Sequence, residues 1–120
     1  MVLPIAAKRR VLVVEDEVIV AMLIEDMLND LGYQVVALTT HLGEALTLAR
    51  TMPVDLAVLD VNLNGELSYP VADALKARGV PFVFATGYGP KILPSPYTSV
   101  PTLQKPFQIT DLQRALEVVS

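Results

Sequence analysis

Short apolar runs rich in β-branched residues recur at positions 11–14, 35–38, 56–59, 82–85 and 100–103, each bounded by polar or turn-forming residues. Runs of this length and composition predict strands. Between them the apolar spacing changes to that of a helix. Leu42, Ala45, Leu46 and Ala49 share one face, as do Ile109, Leu112, Leu116 and Val119. Val71 and Leu75, four apart, mark a further helix, and residues 17–31 a longer one. Gly32 and Gly79 stand where helix C-termini are expected, and Thr40 where the second helix needs an N-cap.

Strands alternating with helices predict an α/β domain with right-handed crossovers. The expected architecture is a flavodoxin-like (βα)5 three-layer sandwich, a parallel five-stranded sheet of order 2-1-3-4-5. Pro101 falls in the fifth run, and a proline removes a ladder donor, so that strand belongs at a sheet edge. Residues 87–99 carry Pro90, Pro94 and Pro96, which leaves the fourth helix shortened or irregular.

With 120 residues the chain has the size of one domain, expected to span 1–120 with residues 1–8 as a loose N-terminal segment. A hydrophobic fraction of 52% and a mean hydropathy of +0.48 are high, and they suit a sheet buried on both faces. The longest unbroken apolar stretch, residues 18–24, is too short to span a bilayer. A formal net charge of -4 argues against a nucleic-acid partner, the only basic cluster being Lys8, Arg9 and Arg10. No cysteine is present, so disulfide and thiolate chemistry are excluded. Basic residues follow the apolar ones at the N-terminus, the reverse of a secretory signal, and a cytoplasmic location with no membrane partner is expected.

The ends of the predicted strands carry the chemistry. Glu15 and Asp16 follow the first, Asp60 the third, Thr86 the fourth and Lys105 the fifth. In a parallel sheet these ends gather at one edge, so three acids, a hydroxyl and an ammonium converge in one pocket. Alone, each has an ordinary reading: acids favour a helix start, Asp60 suits a turn, and Lys105-Pro106-Phe107 suits a loop. Their joint appearance at successive strand ends is what points to function.

That set resembles a response regulator receiver domain over nearly the whole chain. The resemblance implies that Asp60 accepts a phosphoryl group from a histidine kinase or histidine phosphotransfer protein, assisted by Mg²⁺. Asp16 and Asp60 would then ligate the ion directly, with the Asn62 backbone carbonyl as a third ligand and Glu15 acting through water. Lys105 would pair with Asp60 and then with the phosphoryl group, to which Thr86 would also donate. A cis peptide between Lys105 and Pro106 is expected on the same ground. Such a protein catalyses only its own phosphorylation and dephosphorylation. The clustered acids are expected to raise one another's pKa without metal, partly offset by Lys105.

The motif Phe84-Ala85-Thr86-Gly87-Tyr88-Gly89 further resembles the FATGUY subgroup of that family. Asn64 stands where ordinary receivers carry proline, and Thr102 where they carry an aromatic. Thr102 cannot act as a ring that swings inward, so residues 87–99, with Tyr88, are expected to carry the switch instead. No output domain is expected after the last helix. An unknown output protein is expected to dock on the fifth strand and last helix.

Two other functions compete. A small aspartate-nucleophile phosphohydrolase would carry its nucleophile and a second acid two residues later on the first strand, whereas this chain has an adjacent pair there. A degenerate receiver would bind partners without phosphorylation. His41 is expected at the surface, Met22, Met27 and Met52 in core or rim packing, and Tyr33, Tyr69 and Tyr97 in packing or a local hydrogen bond.

Overall fold

The computed structural model describes residues 8–87 and 93–120. Expectations that concern residues 1–7 or Tyr88, Gly89 and Pro90 lie outside the described residues. Strand β1 (Arg10–Val14) leads to helix α1 (Val18–Asp30), strand β2 (Gln34–Thr39) to helix α2 (Leu42–Thr51), and strand β3 (Leu56–Asp60) to a small hairpin of β4 (Asn62–Leu63) and β5 (Glu66–Leu67). Helix α3 (Tyr69–Ala77), strand β6 (Phe82–Thr86), strand β7 (Thr102–Gln104) and helix α4 (Ile109–Val119) complete the described elements.

The large sheet is parallel with order β2-β1-β3-β6-β7, which is the expected 2-1-3-4-5 once the hairpin strands are set aside. Side chains alternate across it. Leu12, Val14, Ala57, Leu59, Phe82 and Phe84 face one core with α2 and α3. Val11, Val13, Leu56, Val58, Val83 and Leu103 face the other with α1 and α4. Both faces are therefore covered, which is why the central strands read as unbroken apolar runs rather than as alternation.

Strand β7 is an edge, as Pro101 requires, but the proline itself precedes the strand. Its carbonyl accepts a hydrogen bond from the Phe84 N–H at 3.0 Å, so the residue joins the ladder only as an acceptor. The second helix is capped by His41 rather than Thr40. Thr39 supplies the local hydroxyl, accepting from the His41 N–H at 3.4 Å, while Thr40 contacts the His41 ring at 2.8 Å. Gly32 and Gly79 end α1 and α3 with φ of 90° and 71°, a backbone that glycine adopts without strain.

Residues 93–100 form turns rather than a helix. They still contribute to the core: Leu93 and Tyr97 are buried, and Tyr97 stacks on Tyr69 at 5.4 Å and meets Phe84 edge-on at 5.8 Å. Tyr97 thus fills space beside β6 that a regular helix would otherwise cover. Two X–Pro bonds are cis, Lys105–Pro106 as expected and Ser95–Pro96 in addition. Among the described residues no helix is long and apolar enough to cross a membrane.

Candidate functional site

Asp60 and Thr86 are the last residues of β3 and β6, Glu15 and Asp16 follow β1 directly, and Lys105 follows β7. Parallel register brings these ends level: the Glu15 N–H reaches the Thr39 carbonyl at 3.1 Å and the Lys105 N–H the Thr86 carbonyl at 2.7 Å. The sheet thus continues one hydrogen bond past its regular strands, and that fixes the backbone from which each functional side chain departs.

Carboxylate oxygens of Glu15, Asp16 and Asp60 all lie within 4.8 Å of one another. The Lys105 ammonium sits among them, 2.8 and 3.1 Å from the two Glu15 oxygens and 3.2 Å from Asp60 Oδ2. The expected pairing with Asp60 is present, but Lys105 also holds Glu15 through both oxygens. Glu15 is fully buried, and its Oε1 further accepts the Glu17 N–H at 3.2 Å. Its carboxylate thus anchors the ammonium from below, a contact that the strand-end pattern did not reveal. Asp60 and Thr86 are 4% and 6% exposed, so a reacting group at Asp60 would be largely out of bulk water.

The electrostatics follow from that crowding. Burial, a hydrogen bond with Asp16 and the Glu15 charge push Asp60 up to about 7, against the pull of Lys105. Burial would also raise Asp16, but the Asp60 side chain and the Asn64 backbone hold its carboxyl below the ordinary value. Mutual raising of the acids is therefore borne out for Asp60 and reversed for Asp16, because one proton shared between neighbours favours ionisation of the other. Burial works against the Lys105 charge, yet Glu15 and Asp60 hold its pKa above the usual lysine value.

A hairpin absent from the expectations supports both aspartates. The Asn62 N–H donates to Asp60 Oδ1 at 3.3 Å, and the Asn64 N–H to Asp16 Oδ2 at 3.0 Å. Asn64 and Gly65 form its two-residue turn, both with positive φ (53° and 89°). Asn-Gly is the strongest short hairpin signal a sequence carries, so Asn64-Gly65 was the available sign.

A cavity of about 270 Å³ opens over the cluster, lined by Asp16, Glu17, Asp60, Asn62, Gly87 and Lys105. Three carboxylates and one ammonium leave a charge near minus two when all are ionised. Hard oxygen donors with that surplus suit Mg²⁺, and the cluster is positioned as the Mg²⁺ site of receiver domains is. A larger groove of about 630 Å³ lies at the opposite strand ends between Arg9, Lys76, Pro81 and Val119. Its one side-chain carboxylate among the described residues, Asp55, is tied to Arg10 at 3.2 Å, and no acid cluster lies there among those residues.

Comparison with known proteins agrees with this geometry. Residues 11–117 match the family described as the response regulator receiver domain. The transcriptional regulatory protein PdtaR of Mycobacterium tuberculosis is 31% identical over 117 residues, covering 94% of this chain and 57% of its own length. The chain therefore spans little more than half of that curated relative. The solution structure of SdrG from Sphingomonas melonis Fr1 superposes with a TM-score of 0.85 at 41% identity, covering 96% of this chain and 98% of that one. The receiver domain of sensor histidine kinase PA1611 from Pseudomonas aeruginosa PAO1, with magnesium coordinated in its active-site cleft, gives 0.77 at 27% identity, covering 94% and 98%. The chain belongs to the response regulator receiver family, whose aspartate switches in two-component signalling carry out their own phosphorylation and dephosphorylation rather than an independent reaction.

Proposed function

We propose that Asp60 is the phosphoacceptor of this receiver and that Asp16, Asp60 and the Asn62 backbone carbonyl hold Mg²⁺, with Glu15 acting through water or through Lys105. The observation that carries the assignment is the position of Asp60: it ends β3, lies between Lys105 and Asp16, and faces the cavity over the cluster. Bound Mg²⁺ would supply charge neutralisation for an incoming phosphoryl group. Asp60 attacks as the ionised carboxylate, its O–P bond forming as the donor's N–P bond breaks and the imidazole leaves; without the cation, burial and the neighbouring acids favour the protonated form of Asp60. Lys105 then moves its ammonium from Asp60 to a phosphoryl oxygen while Glu15 keeps it in place. Thr86 donates its hydroxyl to a second phosphoryl oxygen.

The donor is a histidine kinase or a histidine phosphotransfer protein. Support comes from α1, whose first two turns expose Val18, Ile19, Met22 and Leu23 beside the acid cluster without a single charge. An apolar helical partner that presents its phosphohistidine to Asp60 fits that surface. The chain is further assigned to the FATGUY subgroup on Phe84-Ala85-Thr86-Gly87-Tyr88 and on Asn64. Thr102 is exposed and lacks a ring, while Tyr97 packs against Phe84 two residues before Thr86. Output therefore passes through residues 93–99 and the β7–α4 face rather than through a ring at position 102.

Incubation with Mg²⁺ and a small phosphodonor, followed by intact mass, tests the assignment. One phosphoryl group on the wild type and none on Asp60→Asn is the expected result. A phosphoryl group retained by Asp60→Asn overturns the acceptor, and no adduct from any donor, a cognate kinase included, favours the degenerate receiver.

A further inference from the structure

We propose that the 62–67 hairpin is a positioning device, its Asn64-Gly65 turn holding the Asp16 carboxylate in the orientation that receives a divalent cation. The inference rests on the receiver reading above and adds a residue to it. Asp16 and Asn64 are 48 positions apart, and the Asn64 N–H to Asp16 Oδ2 contact of 3.0 Å ties the end of β1 to the loop after β3. One residue pair further in, the Asn62 N–H holds Asp60 Oδ1 at 3.3 Å. A single hairpin thus donates to both aspartates of the cluster.

The hairpin is built to hold that pose. Asn62 pairs with Leu67 and Leu63 with Glu66, which leaves only Asn64 and Gly65 to turn the chain. The Asn62 side-chain carbonyl accepts the Gly65 N–H at 2.7 Å and closes the turn from within. Leu63 is 3% exposed and anchors the hairpin in the core, and the Ser68 N–H to Val61 carbonyl bond of 2.9 Å closes its base. Positive φ at Asn64 is a conformation that asparagine tolerates and proline cannot reach, since its ring fixes φ near about -65°. Proline would also lack the N–H that Asp16 uses. The carboxylate that position 64 serves thus excludes proline there.

With Oδ2 accepting the amide hydrogen, rotation of the Asp16 carboxylate is restrained while lone pairs remain for a cation. Mg²⁺ requires near-octahedral geometry, whereas Ca²⁺ accepts varied ligand numbers and angles. Loosening the turn therefore weakens Mg²⁺ binding more than Ca²⁺ binding.

Amide-resolved NMR titration of the intact chain with MgCl₂ and CaCl₂ reads both affinities. Asn64→Pro should weaken Mg²⁺ binding about tenfold and Ca²⁺ binding less than about threefold, and Asn64→Gly, which keeps the N–H and the positive φ, should stay within about twofold. Should Asn64→Pro fail to fold, Gly65→Ala replaces it: an added Cβ meets nothing within 4 Å, but φ of 89° is strained for alanine, so the turn shifts without a clash. Unchanged Mg²⁺ affinity in a folded turn variant, or equal losses for the two ions, overturns the proposal. A metal-free readout is independent of these: the Asn64 amide should exchange about tenfold more slowly in wild type than in Asp16→Ala. Equal exchange rates overturn the contact itself. A wild type that binds no Mg²⁺ overturns the receiver reading, and the exchange result then still decides whether the hairpin holds Asp16.

Discussion

Replacing Asp60 with asparagine should stabilise the metal-free protein, and the gain should grow with pH. Asp60 titrates at about 7 in the folded chain against 3.8 for the unperturbed group. The folded state thus binds that proton more tightly than the unfolded state, so the associated stability is complete below about pH 3.8 and is lost as pH rises through about 7. Asparagine resembles the protonated acid in shape and cannot ionise. The interval of 3.2 units, the difference between those two values, sets a ceiling of about 4 kcal/mol above pH 7 at about 1.4 kcal/mol per unit. Loss of the 3.2 Å contact with Lys105 subtracts from it, although Glu15 keeps the ammonium paired. A net gain of about 1–3 kcal/mol remains, or about 4–12 °C in Tm for a chain of this size. Thermal melts by circular dichroism in EDTA from pH 4 to pH 8.5 provide the measurement. The two curves should meet at the acid end and separate toward pH 8. Added Mg²⁺ should then close the gap, because only the wild type keeps all three acids, and saturation at about 100 times Kd stabilises it by about 2.7 kcal/mol. A variant no more stable than wild type at pH 8, or a gap that does not change with pH, refutes the reasoning.

Other consequences follow from burial and pairing. Lys105→Met leaves the buried Glu15 carboxylate without its cation and should cost about 3 kcal/mol in urea unfolding at pH 7. Because Lys105 is held above its usual pKa of 10.5, the wild-type contribution should persist across the neutral range and fade only as pH rises above that value. Tyr97→Ala removes a ring that stacks on Tyr69 and contacts Phe82 and Phe84, and should cost about 3–5 kcal/mol, whereas Tyr97→Phe should cost less than about 1 kcal/mol. The Ser68 hydroxyl is buried without a partner among the described residues at the start of α3, so Ser68→Ala should stabilise the fold by about 1 kcal/mol in the same assay. A destabilised Ser68→Ala would mean that an ordered water satisfies the hydroxyl.

Sequence alone determined the layer architecture and the strand order, and with them the gathering of Glu15, Asp16, Asp60 and Lys105 at one sheet edge. Strands buried on both faces must be apolar throughout, so β1, β3 and β6 announce themselves as runs such as VLVV, LAVL and FVFA. The polar residue that ends each run is legible for the same reason: Asp60 interrupts a pattern in which every preceding position serves a core. Local signals were weaker where two neighbours compete for one role. Thr40 and His41 are both placed to cap α2, and only the backbone conformation at His41 separates them.

Tertiary structure alone decided how the site is held. Lys105 and Glu15 are 90 positions apart, and no periodicity records that the ammonium would bond both Glu15 oxygens as well as Asp60. The opposite shifts of Asp16 and Asp60 depend on burial and on a shared hydrogen bond, which composition cannot report. Tyr97 gave no sign of its place beside Phe84, because an irregular segment carries no period from which to read a buried face. Residue types limit which chemistry is possible at the strand ends, while distance, burial and direction are set only when the sheet brings those ends together.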